Sequence, residues 1–297
     1  MKNDITKIKE LNMEQVQESF YEYIDCDLLT LKAYKTGIES FINYLHDNSI
    51  KHPTRLDFKA YRDELSYTKS TNTINSYMTA IRQLFKYLNE YGIYEDITRN
   101  VKSMKTSTIP KTQVISADKC KEIYNSLTDL REKLIFSLAI TTGMRANEIA
   151  NSKIENIKEY NGEIVLFHIC KKRDDESEYN KLSSQVLEDI KNYIGNRTSG
   201  YIFTSTSNHN KDEGVTYATI RRIIKSIFKR FGIDENGISC HTLRRSCATI
   251  AYNNGADLVS IQQVLNQKSI QTTRKYLNQC TRDNNKLENQ ISNVIFG

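Results

Sequence analysis

Apolar side chains recur three and four residues apart through the first third of the chain, as they do in a helix that buries one face. One run consists of Leu31, Tyr34, Ile38, Phe41, Ile42 and Leu45. A second run has the same offsets and consists of Ile74, Tyr77, Ile81, Leu84, Phe85 and Leu88. A shorter helix through Phe58 and an earlier one over residues 16–24 fit the same pattern. We predict about four helices over residues 13–95, packed as a small bundle.

A polar, basic stretch that includes Pro110 separates this region from the rest of the chain. Its composition, over residues 102–113, is typical of a linker between domains. A chain of 297 residues is also long enough to divide, because single hydrophobic cores stop growing at about 250–300 residues. We therefore predict a helical N-terminal domain over residues 1–101 and a second domain over residues 114–297.

The second domain is predicted to be mostly helical with one small antiparallel sheet, so the chain is assigned to the mainly α class. Residues 163–169 are rich in β-formers and predict a strand. The charged run 171–178 would be a hairpin loop, residues 179–182 the returning strand, and residues 201–203 a further short strand. Helices are predicted in the stretches 116–127, 130–143, 216–231, 241–253, 257–265 and 269–279.

The net charge of +6 favours a polyanionic partner, although a lysine-rich composition can also reflect an AT-rich genome. The helix after Thr216 carries Arg221, Arg222, Lys225 and Lys229 opposite its apolar face. That basic face is either solvated or in contact with a phosphate backbone.

Several classes of protein are excluded. No run of 18 apolar residues suggests a membrane span, and no apolar stretch after Met1 suggests a secretory signal, so a cytoplasmic location is expected. The six cysteines form no C-x-x-C pair and are expected to be reduced thiols rather than metal ligands.

Three distant segments carry groups that suit phosphodiester cleavage. That reaction needs fixed cations at the non-bridging oxygens, a nucleophile, and an acid for the leaving oxygen. Arg145 follows the Gly143 turn, and His241 and Arg244 are three residues apart on one helical face. Tyr276 ends a polar segment. Each feature is common by chance, so the indication lies in their ordered combination.

In this combination the chain resembles the phage integrase, or tyrosine recombinase, family. Its catalytic domain carries an arginine in T-G-x-R-x-x-E, a lysine on a β-hairpin, an H-x-x-R pair, a later histidine or tryptophan, and a tyrosine nine residues further on. Residues 142–148 (TGMRANE) match the first element and residues 241–244 (HTLR) the third, and Tyr276 lies nine residues after Gln267. The resemblance covers most of residues 114–280. The helical first third is similar to the family's core-binding domain by pattern only.

The resemblance implies a site-specific DNA recombinase. Tyr276 would attack the phosphorus and form a 3′-phosphotyrosyl bond, leaving a free 5′-hydroxyl. Arg145 and Arg244 would hold the non-bridging oxygens, and His241 would help to take the tyrosyl proton. No metal, ATP or other cofactor is implied, because the covalent bond conserves the energy of the phosphodiester.

Two positions depart from the family pattern. The hairpin lacks the usual G-K-G-x-K motif; Lys171, directly after the strand, fits the general acid better than its neighbour Lys172, and strand alternation would send the two to opposite faces. Gln267 replaces the usual histidine or tryptophan. It can donate a hydrogen bond to phosphate but cannot carry charge, so it predicts either a neutral donor or a weakened enzyme. Glu148 is expected to orient Arg145.

The resemblance also implies partners: double-stranded DNA with an inverted-repeat site, and further copies of the chain in a tetramer. Near the C-terminus, Ile291, Val294, Ile295 and Phe296 form a small apolar cluster. It either packs on its own domain or docks into a neighbouring copy. Two rival functions remain open: a type IB topoisomerase, which uses a similar set of residues, and a non-catalytic DNA-binding protein that keeps the fold.

Overall fold

The computed structural model describes residues 13–106, 114–169, 177–205, 213–233, 239–267 and 269–277. The chain divides into two compact units, residues 1–107 and residues 108–297. The division lies within the predicted linker 102–113, of which residues 107–113 lie outside the described residues. No described helix combines the length and the apolar character that crossing a bilayer demands.

The described part of the first unit contains four helices, which confirms the predicted bundle. They are α1 (Met13–Tyr23), α2 (Leu28–Asp47), α3 (Arg55–Leu65) and α4 (Thr71–Glu90). Asp27 and Ser70 cap the two long helices by accepting hydrogen bonds from backbone N–H groups of their first turns. Gly37 lets these two helices approach closely, because a Cβ there would lie 3.0 Å from the Cα of Tyr77.

Side chains of α3 and α4 hold the segment that leaves the first unit. Arg62 donates to the carbonyl of Lys102 at 2.9 Å, and Arg82 donates to that of Val101 at 2.8 Å. The Asn75 amide donates to the Met104 carbonyl and accepts from the Met104 N–H, both at 2.9 Å. The first residues of the predicted linker are therefore fixed against the bundle.

The second unit is mostly helical, as predicted. Its described helices are α5 (Ala117–Ser126), α6 (Leu130–Thr142), α7 (Ala146–Ala150), α8 (Ser184–Ile194), α9 (Tyr217–Arg230), α10 (Cys240–Asn253), α11 (Leu258–Val264) and α12 (Ile270–Leu277). A short 3-10 turn spans Ile154–Asn156. The central helix α6 is buried nearly all round, since seven of its last nine residues are buried.

A small antiparallel sheet of order β1-β2-β3 lies beside these helices. Its strands are β1 (Ile157–Tyr160), β2 (Glu163–Ile169) and β3 (Ser177–Lys181). The prediction of β2 is confirmed. The returning strand begins at Ser177, so the end of the predicted loop belongs to the strand, because Ser177 and Glu178 pair with Ile169 and His168. The predicted strand 201–203 is wrong: Tyr201 forms only an isolated bridge with Lys153.

Candidate active site

The first predicted segment places Arg145 at the start of α7. Helix α6 ends at Gly143, whose φ of 64° lies in the left-handed region that glycine adopts without strain. Two residues later, the Arg145 N–H donates to Glu148 Oε2 at 2.7 Å and the guanidinium donates to Oε1 at 2.6 Å. Glu148 therefore orients Arg145, as predicted.

The charge of Glu148 is maintained by this contact. Burial alone would raise the pKa of Glu148, but the hydrogen bonds from the Arg145 backbone and guanidinium, with the nearby positive charge, lower it below its usual range. The arginine side chain itself remains 42% exposed. The guanidinium is thus held in place at the surface of the unit.

The second segment, on α10, brings the motifs together. The helix is capped by Ser239 and carries His241 in its first turn and Arg244 one turn later. Arg244 is only 2% exposed. It donates to the carbonyl of Gly143 at 2.7 Å and to the carbonyl of Leu265. Since these acceptors lie two residues before Arg145 and two before Gln267, a single guanidinium joins all three segments.

His241 retains access to solvent among positive charges. Its pKa is lowered from 6.5 by partial burial first, and then by the charges of Arg244, Arg145 and Arg221. Glu148 opposes the shift only in part. The imidazole is therefore neutral at neutral pH, and a neutral imidazole can accept a proton.

The third segment holds Gln267 in a buried turn. The backbone N–H of Gln267 donates to the Gln262 carbonyl at 3.1 Å, and the Gln262 amide donates back to the Gln267 carbonyl at 2.7 Å. The Gln267 side chain is 9% exposed, and its Oε1 accepts from the Thr273 hydroxyl at 2.8 Å. Its buried Nε2 has no hydrogen-bond partner among the described residues. Such a donor is suited to an acceptor that arrives with a ligand.

Thr273 also connects the turn that carries Gln267 to the helix of the predicted nucleophile, Tyr276. It is fully buried on α12, and Tyr276 lies three residues further along the same helix. The contact between Thr273 and Gln267 therefore holds the helix of Tyr276 beside the segment that follows α11. The side chain of Tyr276 lies outside the described residues, and so do Lys171 and Lys172.

The basic face of α9 is exposed at Arg221, Arg222 and Lys225. Arg221 is close enough to His241 to affect its pKa. One end of this face therefore adjoins the site, and the described geometry is compatible with both the solvated and the phosphate-binding interpretation.

Residues that the sequence analysis did not single out complete the site. Thr273 orients Gln267, while Asn180 and His168, both 5% exposed, form a buried polar pair with a 2.9 Å hydrogen bond. For His168, a polar residue at an inward position of the apolar strand β2 was the available signal. Asn180 faces the buried Leu166 in the β2–β3 register, but that register is not visible in the sequence.

Comparisons with known proteins give the same assignment for both units. The model described as "Phage integrase family" matches residues 113–282, and the one described as "Phage integrase, N-terminal SAM-like domain" matches residues 18–92. Tyrosine recombinase XerA of Pyrococcus furiosus is 26% identical over 293 residues, covering 93% of this chain and 96% of that protein. Tyrosine recombinase XerC of Staphylococcus aureus is 26% identical over 286 residues, covering 90% and 89%.

Solved structures share the fold. XerH site-specific recombinase bound to a palindromic difH substrate, in a post-cleavage complex, matches with a TM-score of 0.73 at 20% identity, over 95% of this chain and 84% of that one. A lambda integrase dimer bound to a COC′ core site matches with a TM-score of 0.72 at 16% identity, over 95% and 81%.

Proposed function

Because the chain belongs to the phage integrase family, we propose that it is a tyrosine site-specific recombinase that breaks and rejoins DNA through Tyr276. The observation that carries this proposal is the position of Arg244, whose guanidinium bonds the segments of Arg145 and Gln267 at once. This contact brings the three motifs together in space, as a site that uses them jointly requires.

The two arginines and Gln267 provide positive charge and donors for one phosphate. As the phenolic oxygen attacks, negative charge grows on the non-bridging oxygens, and preorganised donors stabilise it without reorganisation. Arg145 is held for this role by Glu148. Loss of one such donor typically raises the barrier by about 3–4 kcal/mol.

The proton transfers follow the bonds that form and break. The Tyr276 oxygen bonds to phosphorus while its proton passes toward neutral His241, and the bond from phosphorus to the 5′-oxygen breaks. Lys171 protonates that leaving oxygen, with Lys172 as the alternative. The product is a 3′-phosphotyrosyl bond and a free 5′-hydroxyl, and the reverse steps rejoin the strand.

Gln267 acts as a neutral donor in this proposal. Its Nε2 is buried and has no partner among the described residues, while its Oε1 is already bonded to Thr273. The amide is thus oriented with its donor side unused. A glutamine cannot transfer a proton, so Gln267 only donates a hydrogen bond to the phosphate.

The proposal extends to partners. The substrate is double-stranded DNA with an inverted repeat, because two copies of a chain related by a two-fold axis read the same sequence twice. Strand exchange between two such sites uses four copies.

The two domains bind the DNA together: residues 1–101 form one of them, and residues 102–113 link it to the catalytic domain. On the catalytic domain, Arg221, Arg222 and Lys225 contact phosphates. We place the enzyme in the cytoplasm, in keeping with a DNA substrate.

A nicked suicide substrate tests the chemistry. The inverted repeat is first sought in DNA that flanks the gene; a nick beside the cleavage phosphate then releases the 5′-hydroxyl fragment and traps the adduct. We expect a denaturant-resistant protein–DNA adduct with the wild type and none with Tyr276→Phe, although both bind the site equally well. Specific binding by the wild type without any adduct would reject the proposal in favour of a non-catalytic DNA-binding protein.

The same substrate tests the role of Gln267. If the amide acts as a neutral donor, the wild type forms adduct readily, and Gln267→His changes its rate only modestly. A wild type without detectable adduct, together with activity in Gln267→His, would mean that the glutamine has inactivated the site.

A further inference from the structure

Asn180, on β3, uses all the hydrogen-bonding capacity of its buried amide. Its Nδ2 donates to the carbonyl of Val264 at 2.8 Å and to that of Thr142 at 3.3 Å. Its Oδ1 accepts from His168 Nε2 at 2.9 Å and lies 3.4 Å from the Asn266 amide. Both donors and both acceptor positions are therefore occupied, and the bonds reach four different parts of the second unit.

The acceptors of Asn180 are adjacent in the chain to those of Arg244. Asn180 bonds the last carbonyl of α6 and the last carbonyl of α11, and Arg244 bonds the next carbonyl in each case. The four acceptors are the carbonyls of Thr142, Gly143, Val264 and Leu265. Two side chains from different elements thus join the same two helix ends at consecutive positions.

These helix ends position the site. Carbonyls in the last turn of a helix lack partners within it, so an outside donor fixes where that end lies. Arg145 follows one end by three residues and Gln267 follows the other by three. A misplacement of about 1 Å in a catalytic group can lower a rate on the order of 100-fold. The donors that fix these helix ends therefore affect the rate of cleavage.

We propose that Asn180 is a positioning residue for the cleavage step: it holds the two helix ends at the separation that Arg244 and Gln267 need to bind one phosphate. This inference rests on the proposed function. Asn180 itself is 5% exposed and its amide is fully engaged, so it acts through these groups and not on the DNA.

The bond to His168 extends this role to the sheet. His168 and Asn180 face the same side of β2 and β3, and Asn266 donates to the carbonyl of Tyr179 at 3.3 Å. The strands are thereby fixed to the turn that carries Gln267. A change in the register between β2 and β3 would therefore displace the Asn180 amide and, through it, the groups of the phosphate site.

Two variants separate positioning from general stability. Asn180→Leu keeps the number and branching of the side-chain heavy atoms and removes all four bonds, while Asn180→Asp keeps the shape and replaces the donor nitrogen with a carboxylate oxygen. Tyr124→Phe is the matched control, because it also deletes a partly buried hydrogen bond of the second unit, to Asp189 at 2.8 Å, away from the motifs. For each protein we would measure thermal unfolding, DNA affinity, and the rate of adduct formation at saturating DNA.

We expect both Asn180 variants to form adduct at least about 10-fold more slowly, since misplacement acts on the transition state, with DNA affinity within about twofold of wild type. Tyr124→Phe should lower the melting temperature similarly and leave the rate unchanged. If either folded Asn180 variant matches the wild-type rate, or if Tyr124→Phe slows the reaction as much, the inference is wrong while the proposed function stands.

A double-mutant cycle with Gln267→Ala tests the route of action. If Asn180 acts by placing Gln267, then Asn180→Asp slows Gln267→Ala by much less than it slows the wild type, because neighbours in one network are not additive. Full additivity would contradict the inference. A wild type that forms no adduct would instead overturn the proposed function, and this inference with it.

Discussion

At the scale of single residues, the titration of His241 can be tested directly. Burial and three neighbouring arginines lower its pKa from 6.5, so the neutral, proton-accepting form persists below that pH. Adduct formation at subsaturating DNA, which reports the free enzyme, should therefore fall only as the pH drops below 6.5. A midpoint at or above 6.5 would show either that His241 is not the titrating group or that it does not lie partly buried among these arginines.

A neighbouring charge supplies the control for this profile. Arg221→Gln removes one of the cations that lower the pKa of His241, so the midpoint should move up toward 6.5. Lys225→Gln changes a basic residue of the same helix that is not among the causes of the shift. It should alter DNA affinity without moving the midpoint.

The site residues that can be predicted from sequence are those that lie in a short motif or in a fixed order of motifs along the chain. Glu148 lies three residues from Arg145, so its orienting role is visible in the motif and is confirmed by two hydrogen bonds. Asn180 gives no such signal, because it bonds a carbonyl 84 residues away. The unused donor of Gln267 likewise depends on Thr273, which only the folded turn brings to it.

At the scale of elements, Gly143 gives the sharpest prediction. A Cβ at this position would overlap with Leu265 Cδ2, and the φ of 64° is unfavourable for alanine. The left-handed conformation costs about 1–2 kcal/mol and overpacking about 1–3 kcal/mol. Gly143→Ala should thus lower the free energy of unfolding by about 2–5 kcal/mol in urea titrations, and should slow adduct formation because the Gly143 carbonyl binds Arg244.

Gly232 provides a matched control with the same backbone angle. It also has a φ of 64°, but no atom of the described residues lies within 4 Å of its hypothetical Cβ. Gly232→Ala should carry only the conformational cost of about 1–2 kcal/mol and leave the cleavage rate unchanged. Equal effects of the two substitutions would mean that the contact with Leu265 is unimportant.

The helices could be predicted better than the sheet because their signals are continuous along the chain. Caps such as Ser116 and Thr216 precede apolar faces of helical period, and both caps accept the expected backbone hydrogen bonds. The strand β1 was not predicted, because one of its four residues is half-buried and three are exposed. Helix α8 was also missed, although its Ser183 cap and apolar Val186 and Ile190 were readable.

At the scale of the whole molecule, the first unit extends further along the chain than its helices do. The segment up to Met104 is bonded to α3 and α4 through Arg62, Asn75 and Arg82. A composition rich in polar and basic residues marks a linker, but it cannot show which of those residues are held by a neighbouring domain. Hydrogen bonds from distant side chains to the backbone decide that, and these are tertiary contacts.

The last prediction concerns cooperation between copies of the chain on DNA. The C-terminal cluster Ile291, Val294, Ile295 and Phe296 lies outside the described residues, and its sequence allows packing on its own domain or on a neighbour. Burying each such side chain contributes about 1.5–3 kcal/mol, so docking on a neighbour would favour adjacent occupancy at least about tenfold. Deleting residues 288–297 should therefore weaken binding to the full inverted repeat more than binding to a half-site, as measured by gel-shift titration. Replacing Ser292 and Asn293 with alanine, in the same segment, should leave both affinities unchanged, whereas equal weakening at both sites on deletion would indicate packing within one copy.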